Sequence, residues 1–159
     1  MVRRGVSRFA VALLVAMCLF GLVGLGGTAS ATTALPNPCS LLTNTQVAPT
    51  VGGKVVLRAA TGNRFNRTCT WTGPPMGYMQ TSESLILQLG RVSKAAFIAG
   101  QSRSSPPPTE IHIVGAPAFL SNVGLSVWKN GLDLEMYNTY MTVYPATAVA
   151  LAKDALSRI

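Results

Sequence analysis

The chain is poor in the side chains that do most protein chemistry. It has one histidine, five acidic residues and three cysteines among 159 residues. A structural zinc site takes roughly four nitrogen or sulfur ligands. His112 and the two cysteines beyond the N-terminal apolar segment, Cys39 and Cys69, fall short of that, so no metal or cofactor is expected. There is no Cys-x-x-Cys spacing to depress a thiol pKa, which argues against a redox pair. No serine sits in a Gly-x-Ser-x-Gly turn, and no internal repeat is evident.

The N-terminus supplies an address. Arg3, Arg4 and Arg8 precede an apolar run from Phe9 to Leu25, and Gly26 to Ala31 ends in Ala-x-Ala. Charged start, apolar middle and small-residue end define a secretory signal peptide over residues 1–31, cleaved after Ala31. The competing expectation is an uncleaved anchor, since about 17 apolar residues is the lower limit for a spanning helix. With the leader removed, 128 residues remain, enough for one domain. Arg3, Arg4 and Arg8 leave with it, and the net charge falls from +8 to +5. Export together with that modest charge argues against a nucleic-acid partner and limits membrane contact to the transient passage of the leader.

Cys39 and Cys69 have only each other to pair with in an oxidising compartment. Trp71 follows Cys69 by two, so on a strand the indole and the sulfur share a face. A bridge beside a large apolar ring is a natural core for a small secreted domain. Residues 32–38 read as a tail, and 39–159 as a single domain. Ser40 is the expected N-cap of a short helix over 41–47. Strands are expected over 54–58, 68–72, 85–89 and 109–114, with a helix over 92–101 whose apolar face holds Val92, Ala95, Ala96 and Ala99. The run from Gly73 to Met79 reads as an exposed loop with Met76, Tyr78 and Met79 folded back on the sheet. Ser104 to Pro108 reads as a stiff linker, and Gly115 to Phe119 as a break from the fourth strand.

Asn130-Gly131 between two alternating runs is the strongest local signal. A two-residue turn there pairs Lys129 with Leu132, Trp128 with Asp133, Val127 with Leu134, Ser126 with Glu135 and Leu125 with Met136. That register sends Leu125, Val127, Leu134 and Met136 to one face and Trp128, Asp133, Glu135 and Tyr137 to the other. Pro145 opens a last helix with Ala148, Leu151, Ala152, Ala155 and Ile159 on one stripe. The expected architecture is α+β: an antiparallel sheet of about six strands with helices packed on one face.

Pro-Cys-Ser-Leu-Leu-Thr at 38–43, Cys-x-Trp at 69–71 and Val-Gly-x-x-Ala at 114–118 precede a hairpin and an Ala-rich terminal helix. Together they resemble a family of small exported actinobacterial domains of unknown function, many of them lipoproteins. The resemblance spans nearly all of the mature chain. It implies an extracytoplasmic ligand-binding or sensor module and carries over no catalytic residues. This chain departs from the lipoprotein members in lacking a lipidation cysteine.

The candidate binding surface is the outward hairpin face, where Trp128 and Tyr137 stand among Asp133 and Glu135. Acids on such a face are ordinarily solvated, and a covering helix would make Trp128 part of a core. Lys54, Arg58, Arg64, Arg67, Arg91, Lys94 and Arg103 read first as a solvated basic face of a protein with few acids, and alternatively as a surface for anionic headgroups or wall polymers. The leading expectation is a non-enzymatic binding module, secreted or held in the cell envelope, for an envelope component or small ligand. One alternative is a carrier with an apolar cavity lined by Leu85, Leu87, Leu89, Phe97 and Met136. The other is a hydrolase, with His112 as base or Asp133 and Glu135 as paired carboxylates.

Overall fold

A computed structural model of the chain describes residues 34–78, 80–113, 115–138 and 144–159. The leader over 1–31, Thr32 and Thr33 of the tail, Met79 and Val114 lie outside the described residues.

The domain is one antiparallel sheet with short helices. In chain order the strands are β1 (Leu57–Gly62), β2 (Asn66–Met76), β3 (Thr81–Arg91), β4 (Thr109–Ile113), β5 (Ala116–Leu120), β6 (Gly124–Lys129) and β7 (Leu132–Tyr137). The helices are α1 (Asn44–Val47), α2 (Lys94–Gln101) and α3 (Pro145–Leu156), with 3-10 turns at Pro38–Ser40 and Ala48–Val51. The seven strands lie in the order β1-β2-β3-β7-β6-β5-β4. The β6–β7 hairpin therefore inserts between β3 and β5 and joins the two halves of the sheet.

The hairpin register is the one the sequence predicts, from Lys129 opposite Leu132 to Leu125 opposite Met136. Asn130 (φ 53°) and Gly131 (φ 81°) both take positive φ. A two-residue turn of that kind matches the twist of the strands it joins. Leu125, Val127, Leu134 and Met136 are buried, and they pack with Trp71, Leu85, Leu87 and Leu89 of β2 and β3. Onto this face α3 lays Ala148, Leu151, Ala152, Ala155 and Leu156, while Leu41, Leu42, Val47 and Val51 close it from the N-terminal side.

Cys39 and Cys69 form a disulfide, with Cα atoms 5.1 Å apart. It ties the N-terminal 3-10 turn to β2 beside Trp71, and all three side chains are buried. Cys69 and Trp71 share the core face, as their spacing requires. Asn138 fastens the same region by hydrogen bonds: its side-chain amide donates to the carbonyls of Thr50 (3.2 Å) and Ser84 (2.7 Å). A buried amide with its donors satisfied holds β3, β7 and the N-terminal segment in one arrangement.

Several boundaries differ from expectation for identifiable reasons. The first helix is capped by Thr43 rather than Ser40; Thr43 and Gln46 form a reciprocal capping box, so the regular turn starts later. The first strand occupies 57–62 rather than 54–58, because pairing with Thr72 to Arg67 of β2 decides where the ladder forms. β2 does not stop at Gly73: it continues to Met76 through a register shift between Thr72 and Pro75, which accommodates prolines that cannot donate to a regular ladder. A Cβ at Gly73 would stand 1.6 Å from the Val51 carbonyl oxygen, so only glycine lets the N-terminal turn pack there. Tyr78, expected to fold back, projects fully into solvent.

The expected break at 115–119 is a seventh strand, β5. Pro117 fits because the β5–β6 ladder starts at Ala118. The helices are also not confined to one face. In α2 Ala95 and Ala96 are exposed and Phe97 alone is buried. Phe97 meets Phe119 with ring centroids 5.7 Å apart. Phe119 is in register with Ser126, and Ser126 with Glu135, so α2 lies on the face opposite α3.

Removing the bridge by Cys39→Ala with Cys69→Ala should lower unfolding stability by about 3–4 kcal/mol, the chain-entropy value for a loop of this length. Urea denaturation with and without reductant measures it; a wild-type protein indifferent to reductant would contradict it.

Candidate functional site

On the face opposite the core the sheet carries polar side chains, and α2 covers only part of it. Between them is a groove of about 650 Å³. One wall is Val92, Ala96, Phe97 and Gly100 of α2 and its lead-in. The floor is Ser126, Asp133, Glu135 and Tyr137 of the hairpin. Ser104 to Pro106 and the β5–β6 turn at Ser121 to Val123 complete the rim.

Of the four residues singled out from sequence, Asp133, Glu135 and Tyr137 line the groove together. Alternation along β7 places all three on one face, and the buried Leu132, Leu134 and Met136 fix which face that is. Trp128 has a different position. It is half-buried, and its indole N–H donates to the Val92 carbonyl at 2.9 Å, tying α2 to β6. The Lys94 ammonium stands 6.0 Å from its ring centroid. With its one donor engaged, Trp128 braces the helix that walls the groove.

The carboxylates are not simply solvated. Burial, and next the negative charge of Glu135, push the Asp133 carboxyl up to about 7. Its Oδ1 is buried and has no hydrogen-bond partner among the described residues. Glu135 is better held: the Tyr137 hydroxyl donates to its Oε2, as does the Gln88 amide at 3.4 Å. Burial first, and then that bond and the charge of Glu135, raise the Tyr137 phenol above its ordinary range. A carboxyl holding a proton near neutrality beside a second carboxyl can donate a hydrogen bond, accept one, or balance a cation according to pH.

The other candidates are dispersed. His112 is exposed on edge strand β4, three strands from β7 in the sheet order. Leu85, Leu87, Leu89 and Met136 are fully buried in the core, whereas Phe97 lies across the sheet against Phe119. The five side chains named for an apolar cavity therefore do not surround one space. Ser104 to Pro106, which read as linker, and the β5–β6 turn belong to the groove rim. Only the placement of α2 reveals this, and no local motif announces it.

No family model, curated protein or solved structure matches the chain.

The raised Asp133 carboxyl has a consequence for stability. Between pH about 4 and 7 the unfolded chain has lost this proton and the folded chain keeps it. Stability therefore falls as pH rises through that window and levels off above it. Asp133→Asn should flatten this slope and leave the protein more stable than wild type at pH 8. Urea midpoints across the pH range test it; a wild-type slope retained in the variant would contradict it.

Proposed function

We propose that the chain is an exported, non-enzymatic binding or sensor-like domain, secreted or held in the cell envelope, and that its ligand occupies the groove between α2 and the β6–β7 face. The observation that carries this reading is a concave space of about 650 Å³ with a partly desolvated carboxyl pair and a phenol on its floor. Volumes of that order suit small-molecule sites, which set a few polar groups in largely apolar walls. Val92, Ala96 and Phe97 supply apolar wall, and Asp133, Glu135 and Tyr137 supply orientation. The Cys39–Cys69 bridge is that of an oxidising, extracytoplasmic setting. It supports secretion together with the leader read from the sequence and the resemblance to exported actinobacterial domains.

A hydrolase is the second reading, favoured by one observation: a carboxyl that stays protonated near neutrality beside a second carboxylate is suited to proton transfer. An apolar-ligand carrier has less support, because its expected lining is split between the two faces of the sheet.

Ala96 is exposed on α2 and faces the groove, so a bulky residue there fills the space without disturbing the core. Mass spectrometry of small molecules co-purifying with protein recovered from the exported fraction should find a ligand with wild type and lose it with Ala96→Trp. A ligand retained at equal occupancy by folded Ala96→Trp would overturn the assignment of the groove.

A further inference from the structure

We propose that the groove takes a small molecule bearing a protonated amine, with the cationic group against Asp133 and Glu135 and the hydrocarbon body along α2. The inference rests on the groove being the binding site. The chain has 13 Lys and Arg against 5 Asp and Glu. Two of those five acids nevertheless stand on the groove floor, and among the described residues none that lines it is Lys, Arg or His. A basic protein that keeps its cations off one concave surface and places acids there presents a site complementary to positive charge.

The hydrogen bonding points the same way. Glu135 is oriented by Tyr137 and Gln88, which both donate to Oε2 and so fix one oxygen. Asp133 Oδ1 is buried without a partner among the described residues. The influences on Asp133 are burial and Glu135, with no cation opposing them. A half-buried pair of carboxyls with no counter-ion among the described residues is an unfavourable arrangement that an ammonium with several donors would relieve.

From β7 come Glu135 and Tyr137 themselves. From β3 the register sets Gln88 beside Glu135 and Gly90 beside Asp133, while Arg91 pairs with Leu132 and so belongs to the other face. From β6 come Ser126 and Trp128, neither of them a titrating neighbour. From α2, Lys94 stands over the Trp128 ring and is not among the groove walls. Phe97, Val92 and Ala96 offer apolar surface within the same space, so a short aliphatic amine fits better than an inorganic cation. Binding then favours the ionised form of Asp133, and affinity rises with pH through its titration near 7.

Three four-carbon probes of matched length separate charge from shape: 1,4-diaminobutane, 1,4-butanediol and succinate. Calorimetry at pH 8 and pH 5.5, with amide shifts to locate each probe, gives the readout. The diamine should bind in the groove, more weakly at pH 5.5 by about tenfold, one pKa unit of differential interaction. Asp133→Asn and Glu135→Gln should each weaken it, with Asp133→Asn also losing the pH dependence. Succinate or the diol binding the groove as tightly as the diamine would overturn the cation claim and leave the groove reading standing. So would a diamine that binds equally at both pH values. A diamine that shifts no groove amide overturns the cation claim alone, since loss of co-purified ligand in Ala96→Trp judges the groove separately.

Discussion

The pairing of β6 with β7 across Asn130-Gly131 is the constraint on which the rest of the structure depends. A strand has two faces and its side chains alternate between them, so a slip by one residue would exchange every inward group for an outward one. Asn130 and Gly131 at positive φ hold the turn at two residues, and the register follows. Four apolar side chains then meet the core while Asp133, Glu135 and Tyr137 meet the groove. The same choice of register makes a core on one face and a polar floor on the other. Because the hairpin lies between β3 and β5, it also sets the order of the sheet.

Around that hairpin the two faces are finished differently. The core face is closed by α3 and by the N-terminal turns, held down by the Cys39–Cys69 bridge and the Asn138 hydrogen bonds. Among the described residues the helix on the opposite face is α2, attached through one buried phenylalanine and one indole hydrogen bond. A helix held at so few points covers part of a sheet and leaves a groove beside it. The tight side holds the core, and the sparse side leaves the groove proposed to take a ligand. The carboxyl pair adds a local cost on that second side, since burial and like charge both oppose the ionisation of Asp133. Local conflict of this kind marks positions held for reasons other than folding.

What the sequence made legible was whatever depends on neighbours along the chain or on scarcity. Cys39 and Cys69 had no other partner, and Asn130-Gly131 names its own turn. Leu132, Leu134 and Met136 state their face by alternation. Thr43 and Gln46 carried a readable capping box that Ser40 obscured. The rest depended on distant contacts. β1 begins at Leu57 because β2 offers its ladder there, and β2 runs past Gly73 and two prolines because a register shift absorbs them. The alanines of α2 suggest a buried stripe by their period, yet Ala95 and Ala96 lie exposed and Phe97 is the helix's buried side chain. Three of the four proposed binding residues came together because they share one strand face. The groove they share with α2 depends on where that helix docks, which no local pattern encodes. Trp128 was the one displaced from that role, since it braces the covering helix.

The proposed function requires the polar face of the hairpin to be partly desolvated rather than a solvated surface. The most direct measurement is a carbon-detected NMR titration of the Asp133 carboxyl in the intact protein. A midpoint near 7 is predicted, displaced to lower pH in Glu135→Gln as the neighbouring charge is removed. A midpoint near 4, unmoved by that substitution, would place Asp133 in water and contradict the groove on which the functional reading rests.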